Sequence, residues 1–289
     1  MKQKFSLISL LFLSLISNKS FGQNDSVVIK GAYLGQQPPG SNAKVFAPGI
    51  VSTEHRDFSG FFSPDMQEFY FTRKDNETKE WTLIMYKNEN NQWRESTVGP
   101  RIGRPILSPD GNTMHLGKHY MERTEKGWSD VKSLGPMFDR EDWGIMRLSA
   151  SENGTYVLDD YKNGDVIRIS TFENGKRQPP QKMPPTINTG KYSAHPFISP
   201  DETYLIWDAE RKEGYGESDL YISFRQKDGT WGKAINLGDK VNTESGEAGG
   251  YITPDGKYLF FNRHHDMYWI DAKFIEDLRP KFDELSGSK

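Results

Sequence analysis

Phe61-Phe62-Ser63-Pro64-Asp65, leading into Phe69-Tyr70-Phe71, is the stretch whose reading decides the fold. Pro presets the first central residue of a tight turn, and Asp bonds back to nearby backbone amides, so two apolar strands are joined as a hairpin. The element returns as Ile106-Leu107-Ser108-Pro109-Asp110-Gly111 before Met114-His115-Leu116, and as Phe197-Ile198-Ser199-Pro200-Asp201 before Tyr204-Leu205-Ile206-Trp207. A fourth copy is Tyr251-Ile252-Thr253-Pro254-Asp255-Gly256 before Tyr258-Leu259-Phe260-Phe261. A degenerate fifth, without Pro-Asp, runs from Arg147-Leu148-Ser149 through Glu152-Asn153-Gly154 to Tyr156-Val157-Leu158. Turn chemistry accounts for each repeated Asp, so these are not read as a catalytic set.

Working outward, each hairpin precedes a third strand: Trp81 to Tyr86, Asp165 to Ile169, Asp219 to Ser223 and Asp266 to Ile270, with the second repeat poorly marked around Tyr120 to Arg123. Trp-led outer strands are expected at Trp93, Trp128 and Trp231. The motif spacing, 45 residues from Ser63 to Ser108 and 54 from Ser199 to Thr253, suits four-stranded propeller blades. Helical periodicity is scarce, Lys273 to Leu278 being the best candidate. Thr53, Thr189 and Thr243 each stand ten residues before a turn Ser or Thr, so Lys44 to Val51 reads as the outer strand of a blade that precedes the first. The last repeat lacks a fourth strand. The expected fold is therefore all-β, a five-bladed β-propeller with four-stranded blades whose N-terminal strand closes the last blade, which covers exposed strand edges. Asp159 to Ser193 is too short for a sixth blade.

The organisation follows: a signal peptide at 1-22, an N-terminal extension at 23-43, the propeller at 44-272 and a tail at 273-289. Lys2 and Lys4 precede an apolar run from Phe5 to Ile16, and Ser20-Phe21-Gly22 supplies the small residues of a cleavage site. The run is too short to span a bilayer, so a periplasmic or secreted protein without a membrane span is expected. Cys is absent, which excludes disulfides, thiolate zinc sites, a Cys nucleophile and lipid attachment through Cys. A net charge of -3 with no basic run argues against nucleic acid as a partner.

The Ser-Pro-Asp-Gly hairpins, aromatic second strands, Asp-Leu-Tyr at 219–221 and Trp-led outer strands together resemble the TolB-type β-propeller repeat family over residues 44 to 272. The resemblance implies the fold. Its members include periplasmic scaffolds, peptidase-associated domains and lyases of sugar polymers, so it does not imply one function.

In a hairpin blade the start of the inner strand and the end of the second strand lie at one end, opposite the turn. Arg56, Asp57, Arg104, Asp142, His195 and Glu247 precede inner strands, while Arg73, Asp159, Asp208, Arg211, Arg263 and His264 follow second strands. These twelve are the candidate ligand-binding residues, expected around a funnel of mixed charge at the channel mouth. No metal site is expected, since His264 and His265 point to opposite faces of a strand. No cofactor is expected either, because no phosphate loop, dinucleotide fingerprint or nucleophile elbow is present. The expected role is a monomeric binding module for a glycan or an envelope protein at the channel mouth; docking to an envelope protein through the blade-edge loop Glu210 to Glu217 is a separate alternative. The competing expectation is a carbohydrate-active enzyme using His195 or a pair among Asp142, Asp159, Asp208 and Glu247.

Overall fold

The computed structural model describes residues 28–279, so the expected signal peptide at 1-22 lies outside the described residues. Five antiparallel sheets are arranged around one axis as five blades. Blade 1 is built from Arg56–Phe62, Glu68–Lys74, Trp81–Glu89 and Gln92–Pro100, and Ile29–Lys30 adds a fifth strand at its outer edge. Blade 2 comprises Ile106–Leu107, Thr113–Leu116 and His119–Thr124, with Gly127–Trp128 and Lys132–Ser133 both pairing on the last of these. The weakly marked third strand is therefore present. Blade 3 is Leu148–Ala150, Tyr156–Asp160, Val166–Ser170 and Gln181–Lys182. Its third and fourth strands are separated by a small hairpin, Phe172–Glu173 with Lys176–Arg177, and this segment forms no sixth blade.

Blade 4 is Lys191–Ile198, Tyr204–Glu210, Asp219–Phe224 and Ile235–Asn236. Here one expectation needs correction. Trp231 makes only an isolated bridge to Arg225, and the outer strand begins four residues later at Ile235. Trp231 is buried in the blade 3–4 core, so the indole marks packing and not the strand.

Blade 5 is Glu247–Ile252, Tyr258–Arg263, Asp266–Asp271 and, as its outermost strand, Lys44–Val45. Lys44 faces Trp269 and Val45 faces Tyr268, so the N-terminal strand closes the ring as its sequence position predicts. An aromatic cluster seals the seam, with Phe46 ring centroids 4.7 Å from Phe260 and 5.1 Å from Trp269. Tyr33, between Ile29–Lys30 and Lys44–Val45, packs edge-on against Tyr258 at 5.0 Å in the same cluster. The short helix Phe274–Leu278 follows, and no helix among the described residues is long and apolar enough to cross a membrane.

The turns behave as their chemistry requires. Ser63 Oγ donates to Asp65 Oδ1 (2.5 Å) and accepts from Glu68 N (2.8 Å); Thr253 Oγ1 repeats the pattern with Asp255 Oδ1 (2.7 Å) and Tyr258 N (3.1 Å). In blade 3, where Pro-Asp is missing, Ser151 Oγ donates instead to Glu202 Oε1 of blade 4 at 2.7 Å. Ser199→Ala, which strips Tyr204 N of its 3.0 Å acceptor, is expected to cost about 1 kcal/mol. Urea unfolding with an unchanged m-value checks this.

Candidate functional site

The inner strands of blades 1, 4 and 5 share a device that alternation does not announce. Each slips register near mid-strand, between Phe58 and Phe61, Ala194 and Phe197, and Ala248 and Tyr251, and the blade 4 strand slips a second time between Lys191 and Ala194. At each slip one residue takes positive φ: Ser59 (55°), His195 (48°) and Gly249 (69°). Such bulges free an N–H from the ladder and re-aim a side chain. The preceding blade accepts every freed N–H: Asn262 Oδ1 from Ser59 N (3.1 Å), Asp159 Oδ2 from His195 N (3.1 Å) and Asp208 Oδ1 from Gly249 N (2.9 Å). Three of the five blade junctions are thereby stitched at one level of the axis.

Two arginines stand at that level without carboxylate partners. Arg147 is 5% exposed, and its Nε is buried with no acceptor; Nη1 of Arg104 is buried and equally unpartnered. A Cβ built on Gly249 would lie 3.6 Å from Arg147 Nη1, 3.6 Å from Asn262 Oδ1 and 3.8 Å from Arg104 Nη1, so both guanidiniums face the space that the missing side chain leaves. Burial pushes Arg147 below the usual guanidinium range, to about 10; the Arg104 cation adds to this, and Asp208 and Asp159 oppose it. Arg104 is lowered by burial as well. Burial raises Asp159 above the usual carboxylate range, although His195 and the amides of His195, Arg147 and Met146 all favour its charge. Sequence reasoning named Arg104 but missed Arg147, which stands directly before Leu148 in the degenerate hairpin.

His195 completes the cluster. Its Nδ1 lies 3.0 Å from both Asp208 oxygens, while Nε2 is buried and has no partner. A carboxylate on one ring nitrogen fixes the imidazole's orientation and leaves the other nitrogen as the reactive edge. Asp208 Oδ1 thus ties His195 to Gly249 N, and hence to the arginine cradle.

The other nominated residues divide into two groups. Asp57 and Glu247 are fully buried and held by Arg73 and Arg263, each Nε–carboxylate distance being 2.7 Å. Thr53 and Thr243 donate to these carboxylates through both backbone N and Oγ1. These are structural clasps. In blade 4 Arg211 Nη2 donates to Ile187 O, but its Nε is buried and has no acceptor. Arg56 and His264 are exposed; His264 Nε2 meets Ser245 Oγ at 3.1 Å. Asp142 is exposed and paired with Arg140 at 2.6 Å, outside the axial cluster. Among the described residues no group of three or more His, Cys, Asp or Glu could hold a metal ion.

The cavity geometry also differs from the expected open funnel. At the inner-strand starts, the acids are packed inside. A cavity of about 440 Å³ opens at the opposite mouth, between the Ser-Pro-Asp turns, lined by Phe61, Ile106, Phe197 and Tyr251 and rimmed by Pro64, Pro109, Pro200 and Pro254. Inner strands end in apolar residues because that end packs the turns, whereas the charges gather where the bulges expose backbone donors.

Five blades of four or five strands around one axis define a β-propeller. No family model matches the chain, and no curated protein matches it. Among solved structures it is similar to TolB from Acinetobacter baumannii, at 13% identity and a TM-score of 0.44 over 78% of this chain; the match spans 56% of the TolB chain. It is also similar to a thermostable family-43 glycoside hydrolase (14% identity, TM-score 0.43, 77% of this chain and 90% of that one). A gluconolactonase from Xanthomonas campestris is similar at 8% identity and a TM-score of 0.47, over 76% of this chain and 86% of that one.

Proposed function

We propose that this chain is an exported, TolB-type β-propeller that binds an acidic glycan at the charged mouth of its channel. The observation that carries the reading is the pair Arg104 and Arg147, whose guanidiniums face one small space without a carboxylate in salt-bridge reach. Buried cations are ordinarily paired, and a ligand carboxylate would supply the direct acceptors that Asp159 and Asp208, bonded elsewhere, do not. The test is calorimetric titration with oligogalacturonate and with a neutral oligosaccharide of equal length. Only the acidic ligand is expected to bind, and Arg147→Met should weaken it by at least about tenfold, or ~1.4 kcal/mol. Equal binding of the neutral glycan, or an unaffected Arg147→Met variant, overturns the reading. Binding of an acidic polypeptide in place of the glycan moves the assignment to an envelope protein.

A second reading, that of an enzyme on the same ligand, is favoured by the Asp208–His195 pair with its free Nε2. A base must lie within hydrogen-bond reach of the proton it takes, and only Nε2 remains to do so. Appearance of new chain ends with wild type, lost in His195→Gln while binding persists, would establish it.

A further inference from the structure

Three blades repeat one construction at the channel's charged end, and one of the three is incomplete. Thr53, Thr189 and Thr243 are followed four residues later by Asp57, Ser193 and Glu247. At the ends of the matching second strands stand Arg73, opposite Asp57, and Arg263, opposite Glu247; in blade 4 Arg211 follows the strand's last residue, Glu210, which faces Lys191. In every case Nη2 donates to a carbonyl just before the Thr: Arg73 to Val51 O (3.1 Å), Arg211 to Ile187 O (3.0 Å) and Arg263 to Val241 O (2.8 Å). Each guanidinium also stacks on an aromatic ring of its own blade, Arg73 on Phe71 at 5.1 Å, Arg211 on Tyr221 at 4.3 Å and Arg263 on Tyr268 at 4.6 Å. The Arg211 guanidinium thus reaches the same carbonyl and ring from a backbone position beyond the strand end, and the carboxylate is missing. In blades 1 and 5 it receives Nε at 2.7 Å; in blade 4 Ser193, 3% exposed, replaces it, and Arg211 Nε is buried with no acceptor.

The same ring stack in blade 4 holds another buried donor without an acceptor, Trp207 Nε1, the residue being 0% exposed. Phe71 and Phe261, which take the place of Trp207 in the sister blades, carry no donor. Blade 4 therefore combines an excess of buried donors with the loss of its acid. Arg Nε–H and indole N–H can only donate, so nothing within the chain can relieve them by a change of tautomer.

We propose that blade 4 carries a carboxylate-binding site over Ser193, where a carboxylate from outside the chain receives Arg211 Nε–H as Asp57 and Glu247 do from within it. Ser is smaller than Asp by two heavy atoms, which is the room the missing carboxyl group would occupy. The site is separate from the axial arginines and does not depend on the glycan reading.

The probe is formate, titrated into the full chain while the Arg Nε–H resonances are followed by NMR, with Arg211→Lys used to assign the signal. A saturable shift of the Arg211 resonance is expected, with Arg73 and Arg263 unmoved. Ser193→Asp, which rebuilds the clasp, should melt higher than unliganded wild type and should no longer respond to formate. If that variant fails to fold, the wild-type titration decides alone. An unmoved Arg211 resonance, as a resident water would give, or a Ser193→Asp variant that responds as wild type does, overturns the proposal. Galacturonate producing the same shift shows that the carboxylate of a larger molecule is admitted; formate alone restricts the site to small free carboxylates.

Discussion

Glu247→Ala is expected to lower the unfolding free energy by about 3–5 kcal/mol, because it leaves the Arg263 charge buried and unpaired. The same change strips Thr243 of the acceptor for both its N–H and its hydroxyl. Against a typical domain stability of about 5–15 kcal/mol, that is a large fraction. Asp57→Ala should behave alike, since Asp57 is equally buried and equally bonded to Arg73 and Thr53. The double variant Glu247→Ala/Arg263→Met should regain part of the loss, because the orphaned cation goes with it. Urea unfolding of the four proteins measures this, and a loss below about 1 kcal/mol for Glu247→Ala would show that the clasp is not a fold determinant.

The second large effect concerns acid. His115 is 1% exposed, its ring lies 5.1 Å from that of Tyr156, and its Nδ1 is buried without a partner. Burial lowers its pKa from 6.5 to about 4, with the Arg177 cation adding and Asp110 opposing. The unfolded chain therefore binds a proton below pH 6.5 that the folded chain refuses until about pH 4. The stability contribution is complete above 6.5 and is lost as pH falls toward 4. At roughly 1.36 kcal/mol per pH unit, the loss over that window reaches about 3 kcal/mol. His115→Phe should remove this part of the pH dependence, so its stability difference between pH 7 and pH 4.5 should be the smaller one. Parallel slopes for the two proteins would contradict the assignment.

Much of this architecture could be read from residues in isolation, because Ser-Pro-Asp encodes a turn locally and the unmatched strand at Lys44 implied its partner in the last blade. Trp231 misled for a physical reason: a buried indole satisfies packing whether or not its backbone sits in a ladder. The axial cluster was only half visible. Asp159, Asp208, His195 and Arg104 stand where strand geometry places them, but their roles are set by register slips at Ser59, His195 and Gly249. A slip leaves no mark in an alternating pattern, except where Gly249 interrupts Ala248 and Tyr251. The clasps were legible in principle. The Thr spacing recurs visibly, yet the acid four residues beyond Thr53 and Thr243 gains meaning only beside the Arg across the hairpin, and so does its absence at Ser193.

Pairing of Lys44 with Trp269 also constrains the order in which the molecule can be completed. The ribosome makes this strand among the earliest parts of the domain, and its only ladder partner among the last. Until nearly the whole chain has been synthesised, Phe46 has no Phe260 or Trp269 to cover it. So long a wait for a distant contact slows folding and leaves an apolar edge open to unwanted association. Nascent chains of this protein should therefore need protection until the final blade emerges.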